Sequence, residues 1–497
     1  MDQQLPEIHQ TEIDGIPTLW APVPGPFMGA LQFRVGRVDE QRPIAGITHI
    51  VEHLVFHDLM ETPYDKNGFV EPARTVFHAS GHPHEVAEFL TTVCANLAAL
   101  PLDRLDHERQ ILVQEASERP VSADGGMRYV RFGPQGHGLA DGPEFGLEWL
   151  AGPTVEAWRR SRFTRGNAML VFSGEPPAGL RLDLPDGPRR PPVRPIPDPD
   201  LPLPSFAPWE REAACLTMLG ERSPELTMLL GIMERRLKRE LRLEQGAVYD
   251  VAAIYDPLTG TDGHLFLAAD CAAERIDAVQ AAMISTLDAL ATDGPTDEEI
   301  AKEVDAFERM FMDPMAVFGL MDTQAFDMLH GRPLMLPAEG VERRRAATRE
   351  SVRAAAQAAR ATAILASNAK EAPAAYTPAP LGSPSRVNGR EVAPAGFHLP
   401  GRGPKERLIM GEEGLSIKFV DGSFSTVRYE SAVLCEHGSP KLRRLTGRDG
   451  FAVVVDADHW KDGVAIVAEI DRRVDPLIVS CEDDADNDRW TRRIMEL

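Results

Sequence analysis

Gly46-Ile47-Thr48-His49-Ile50-Val51-Glu52-His53-Leu54-Val55-Phe56 is an apolar stretch broken by two histidines and one glutamate. On a helix, His49 and His53 lie four apart with Glu52 between them, so all three project from one face. Two imidazoles so placed can hold a zinc ion, and the carboxylate beside them can take a proton from an attacking water. The order His-x-x-Glu-His is the inverted form of the His-Glu-x-x-His zinc-binding pattern. Apolar residues occupy nearly every other position, which predicts a buried helix. Three ionisable groups on such a helix are costly without a metal or close partners. A satisfied polar cluster is the plain alternative.

Outward from this helix, the chain reads as α+β. Residues 13–20 form a strand pair around a glycine turn, and residues 30–36, 67–70 and 75–80 read as strands. Residues 86–100 form an amphipathic helix. After Pro101 a second helix carries Glu108, Ile111, Leu112 and Glu115 on one face. Two histidines leave a catalytic zinc one protein ligand short. Glu115, 62 residues after His53, is the best candidate for the third.

Residues 184–209 are crowded with proline and read as an extended linker. From Ala213 a second block begins, with a helix over 226–237, strands over 248–255 and 264–269, and an amphipathic helix over 276–290. Thr296 and Glu299 have the spacing of a capping box. A second linker, rich in proline, glycine and alanine, spans 372–404. Short strands follow at 415–419, 425–429, 451–455, 464–470 and 477–479, with an Asp421-Gly422 hairpin turn and a closing helix near 490–495. The expected division is a zinc-binding α+β domain (1–185), a linker (186–209), a second, similar α+β domain (210–370), a linker (371–404) and a β domain (405–497). The fold class is α+β: two similar units of antiparallel sheet covered by helices, then a small β-rich domain. No residue-level repeat joins the two units.

The chain has 497 residues, 43% of them apolar, and a net charge of −23. No basic stripe stands out, which argues against nucleic acid as a partner. No apolar run approaches the roughly 20 residues of a membrane span. The first residues have neither a basic nor an apolar targeting segment, and five scattered cysteines form no Cys-x-x-Cys pair. Both features predict a reducing, cytoplasmic setting.

The spacing Gly46-x-x-His49-x-x-Glu52-His53, followed by Glu108-Arg109 and Glu115, resembles the inverted-zincin superfamily of pitrilysin, insulin-degrading enzyme and mitochondrial processing peptidase. Arg242-Leu243-Glu244-Gln245-Gly246-Ala247-Val248-Tyr249 resembles that family's Arg-x-x-x-Gly-x-x-Tyr segment. The resemblance covers roughly residues 10–365. It implies one Zn²⁺ per chain on His49, His53 and Glu115, with Glu52 as general base and Glu108 as a supporting acid. It implies that Arg242 and Tyr249 reach over the metal from a distant domain and stabilise the oxyanion. It also implies an endopeptidase of unfolded peptides or peptide leaders, working inside a dimeric clamshell made with a second copy or a related chain. A non-catalytic or partner-dependent subunit is the alternative.

Two departures stand out. The His53–Glu115 gap is shorter than is usual in the family. The family's Gly-Gly-x-x-Asn-Ala-x-Thr edge strand appears only as Asn67-Gly68-Phe69-Val70. The C-terminal β domain lies outside the resemblance. Its strands and last helix resemble a pleckstrin-homology-like fold, and its acidic run 482–488 favours protein docking over anionic lipid.

Overall fold

The computed structural model describes residues 7–57, 59, 63–118, 120–396, 406–480 and 484–496. The first unit contains β1 (His9–Ile13), β2 (Ile16–Trp20), β3 (Phe27–Phe33), α1 (Ile47–Phe56), β4 (Asp65–Val70), β5 (Thr75–Gly81), α2 (Pro83–Ala98), α3 (Leu105–Glu118), α4 (Ala123–Phe132), α5 (Gly152–Arg162) and β6 (Ala168–Phe172). Its sheet runs β1-β2-β6-β3-β5-β4. The second unit contains β7 (Ser205–Pro208), β8 (Ala213–Glu221), α6 (Pro224–Leu237), β9 (Val251–Pro257), β10 (Asp262–Asp270), α7 (Ile276–Thr292), α8 (Asp297–Met310), α9 (Pro314–Leu329), α10 (Pro337–Arg345), α11 (Arg349–Ala361), β11 (Ile364–Ser367) and β12 (Thr377–Pro378). Its sheet runs β12-β7-β11-β8-β10-β9.

The repeat that the residues do not show lies in the wiring. Without their outermost strands β1 and β12, the sheets read β2-β6-β3-β5-β4 and β7-β11-β8-β10-β9. In both, the first pair is parallel and the next is antiparallel. The motif helix α1 therefore has its counterpart in α6, and the edge strand β4 in β9.

Each sheet is buried on both faces. Leu31, Phe33, Phe77, Leu170 and Phe172 face the core shared with α1, α2, α3 and α5. The alternate residues Ala30, Val76, Met169 and Val171 face Val317, Met321, Ala325 and Leu329 of α9, a helix of the second unit. Reciprocally, Met127 of α4 in the first unit packs on Cys215, Phe266, Ile364 and Ala366 of the second sheet. The units thus exchange a covering helix. At this junction Arg128 of α4 bonds Asp124 at 2.7 Å and Asp256 at 2.5 Å. Arg131 donates to the carbonyl oxygens of Thr217 and Thr362.

The third domain has a four-stranded meander, β13 (Gly389–Val392), β14 (Arg407–Gly411), β15 (Gly414–Lys418) and β16 (Phe424–Arg428). A three-stranded one follows, β17 (Ala432–Ser439), β18 (Leu442–Gly447) and β19 (Ala452–Asp456). The helix α12 (Gly463–Arg473) closes their common core through Ile466, Val467 and Ile470. The last helix, α13 (Asp484–Glu496), leaves this domain. Its Trp490 and Ile494 join the core of the first unit, and its Asn487 accepts from the Ala151 amide at 2.8 Å.

Several sequence expectations are corrected here. The linker at 186–209 ends in β7, an internal strand of the second sheet. The linker at 371–404 contains β12 and β13, and its residues 397–404 lie outside the described residues. Val248 to Asp250 precede strand β9 rather than open it. The strand expected at 464–470 is helix α12. Its β-branched run reads as a strand, but Ile466, Val467, Ile470 and Val474 bury one helical stripe, whereas Val464 is 70% exposed. Residues 476–478 form a 3-10 turn. The closing helix packs on the zinc-motif unit, not on the β domain. Cys481 lies outside the described residues, and the other four cysteines are free and buried.

Candidate metal centre

Helix α1 buries eight of its ten residues, as its composition requires. Gly46 precedes it at φ +99°, and a Cβ there would stand 2.8 Å from Leu147 Cγ. Both facts demand glycine. The buried Glu40 carboxylate accepts from the amides of Gly46 at 2.8 Å and Thr48 at 2.9 Å, satisfying donors at the helix start. Burial pushes this carboxyl up to about 7, against the pull of those bonds.

The two imidazoles meet edge to face, with ring centroids 5.0 Å apart. His49 Nδ1 is 3.0 and 3.2 Å from the Glu144 carboxylate oxygens. His53 Nδ1 is 3.5 Å from Glu108 Oε2, and Arg104 Nη2 donates to Glu108 Oε1 at 3.1 Å. Carboxylates on both Nδ1 atoms fix the tautomer and leave each Nε2 as a lone-pair donor. The Nε2 atoms lie 3.9 and 4.0 Å from Glu52 Oε2, and His53 Nε2 lies 3.8 Å from Glu115 Oε1. Ligand atoms of His49, His53 and Glu115 all fall within 4.8 Å of one another. Two imidazole nitrogens and one carboxylate at this spacing fit a divalent metal with an open position. Burial, then the charge of His49, lowers the His53 pKa and keeps its ring neutral, as a ligand must be. Burial first pushes the Glu52 carboxyl up to about 7. His49 pulls it down, while Glu115, Glu108 and Glu144 push it up.

These groups line a cleft of about 770 Å³ between α1, α3 and β4. Among the described residues, strand β4 ends the sheet and pairs only with β5. It passes over Glu52 at Gly68, where a Cβ would sit 2.4 Å from Glu52 Oε1.

Of the residues singled out in the sequence, the fold brings together His49, Glu52, His53, Glu108 and Glu115. It does not bring Arg242 and Tyr249 to them within this chain. Arg242 sits on the π-helical extension of α6 (Lys238–Glu244), 3.7 Å from Asp250 and 5.6 Å from the Tyr249 ring. Tyr249 is 86% exposed, and neither residue lines the cleft. Sequence reasoning missed Glu144 and Glu40. Both lie in non-repetitive segments, where no periodicity points at them.

Residues 219–307 match the family model described as "Peptidase M16 inactive domain". That span includes α6, which takes the topological place of α1 and carries no histidine. A search of curated proteins matched none. Among solved structures, a peptidase M16 inactive domain from Pseudomonas fluorescens is 15% identical; the match covers 72% of this chain and 97% of that one, with a TM-score of 0.61. A protease from Helicobacter pylori is 14% identical over 73% of this chain and 99% of that one, with a TM-score of 0.60. Pitrilysin is 16% identical over 74% of this chain and 45% of that one, with a TM-score of 0.54. A family model thus matches part of the second unit, and the fold of both units is that of these M16 peptidase structures.

Proposed function

We propose that the protein is a zinc-dependent endopeptidase that cleaves unfolded peptides. The observation that carries this reading is the convergence of His49, His53 and Glu115, with Glu52 beside them and a carboxylate behind each imidazole. A zinc ion held by the two Nε2 atoms and Glu115 would polarise the scissile carbonyl and acidify a water. The chain's own groups do the rest. Glu144 and Glu108 orient the imidazoles. Glu52 takes the proton of the attacking water and returns it to the leaving amine nitrogen. The outer edge of β4 offers backbone donors and acceptors along the cleft, to which an extended peptide can add as a further strand. This mode favours unfolded substrates.

Arg242 and Tyr249, exposed and remote from their own cleft, are assigned to the oxyanion of a second copy, which makes the working unit a dimeric clamshell. The third domain, with its four- and three-stranded meanders and closing helix, is read as a pleckstrin-homology-like docking module. A non-catalytic subunit is the competing reading. The "inactive domain" match supports it only for the second unit, whereas the first keeps the metal-ligand set and the base Glu52.

The test is zinc content together with cleavage of a quenched peptide. Glu52→Gln should keep one zinc per chain and lose turnover by at least about 10³-fold. Undiminished cleavage in that variant would overturn the mechanism. Chelator treatment should abolish wild-type cleavage, and added zinc should restore it.

A further inference from the structure

Behind the metal centre, on the side away from the cleft, lies a second cavity of about 990 Å³. Its walls are the end of α3, the segment 141–149 and strand β17 of the third domain. Phe145, Leu147, Trp149 and Leu434 give it an apolar and aromatic body. Asp141, Glu144, Glu148 and Glu436 give it carboxylates, and among the described residues no lysine or arginine lines it. Its size is that of a site for a small organic ligand or short peptide. An aromatic wall beside carboxylates recognises a cation attached to an apolar group.

One lining group ties this cavity to the chemistry. Glu144 is the carboxylate that bonds His49 Nδ1. Helix α3 does likewise, presenting Glu115 to the metal cluster and Val113, Ala116 and Ser117 to the cavity.

We propose that this cavity is a second ligand site, for a short peptide bearing a basic group next to an apolar side chain, and that it is coupled to the metal centre through Glu144. A cation that draws on Glu144 competes with His49 for the same carboxylate, so occupancy of the cavity weakens metal retention. By linkage, metal then weakens the peptide. The third domain, which supplies one wall, thereby becomes part of the regulation of the cleft. The coupling rests on the zinc reading; the site itself does not.

The test uses the full chain stripped of metal, so that nothing is cleaved. Phenylalanyl-arginine amide is titrated calorimetrically against N-acetyl-phenylalanyl-glutamine amide. The charged peptide should bind about tenfold more tightly. Ser117→Trp, which fills the cavity from an exposed helix position, and the pair Glu148→Gln/Glu436→Gln should each weaken it by about tenfold. Glu115→Gln should leave it within about twofold, and His49→Asn, which frees Glu144, should not weaken it. No preference for the charged peptide, or binding that survives Ser117→Trp and is lost with His49→Asn, overturns the site. A competition assay for zinc then reads the coupling. Saturating peptide should raise the zinc dissociation constant at least about threefold in the wild type and not in Glu144→Gln. An unchanged zinc constant in a peptide-bound wild type overturns the coupling alone. Failure to bind zinc at all would instead defeat the peptidase reading and leave the calorimetric result standing.

Discussion

At Gly68 the edge strand crosses the general base so closely that one added methyl group would stand 2.4 Å from Glu52 Oε1. Either the carboxylate or the strand must yield. Gly68→Ala should therefore lower kcat by roughly one to two orders of magnitude, the scale of an ångström-sized misplacement, while zinc content stays unchanged. Peptide turnover with metal analysis checks this. The cluster was legible where it is local: His49, Glu52 and His53 stand out by type and spacing on α1, and Glu115 as a carboxylate on α3, which the fold brings beside them. Glu144 did not, because its role exists only once the 141–149 segment folds against α1. Arg242 and Tyr249 were legible as a motif, yet the residues within one chain leave them facing solvent.

Helix α1 depends on a cap that comes from outside its own sequence. The Glu40 carboxylate takes two backbone donors at its start, in a setting closed to water. Glu40→Ala should leave those amides unsatisfied and cost about 2–4 kcal/mol of stability, read from urea denaturation, together with weaker zinc retention. Elements with a clear period were read correctly, α2, α6 and α7 among them. The errors fell on short segments. Strand β7 hides behind proline, and α12 uses β-branched residues in a helix because one stripe of them fills the third core. In such segments tertiary burial overrides local preference.

At the scale of the molecule, two buried histidines contribute to the response to acid. His264 lies at the junction of the units, against Thr217, Arg128 and Asp124, and burial, with Arg128 next, holds its pKa well below 6.5. Burial also lowers His330 to about 3, where its ring stacks on Phe326 and its Nδ1 donates to the Phe326 carbonyl. Both rings stay neutral in the folded chain. Below about pH 6.5 the unfolded chain binds protons that these two rings refuse, so their contribution to stability is full above that pH and declines as pH falls towards 3, while Glu40 and Glu52, raised to about 7, act in the opposite sense. His330→Gln should remove on the order of 2 kcal/mol of acid destabilisation, read as a smaller fall in stability between pH 7.5 and pH 5 in urea titrations.

Assembly has its own test. If each oxyanion pair serves the partner's metal, a mixture of Glu52→Gln and Tyr249→Phe chains should regain about a quarter of wild-type activity, since half the dimers are mixed and each has one intact site. A mixture no more active than its components would place the pair in cis. The shared wiring of the two units was invisible in the residues, since β2-β6-β3-β5-β4 and β7-β11-β8-β10-β9 repeat a path, not a sequence.

The exchange of α4 and α9 also orders events in time. During synthesis the first sheet is complete once β6 has emerged, but the helix that covers its second face ends at Leu329. Roughly 150 more residues must be made first, on the order of 10–30 s at ordinary elongation rates. Through that interval the nascent chain presents Ala30, Val76, Met169 and Val171 to its surroundings. The ribosome-bound first unit is thus a natural client for a chaperone, and its metal motif becomes part of a finished domain only after the second unit has been translated.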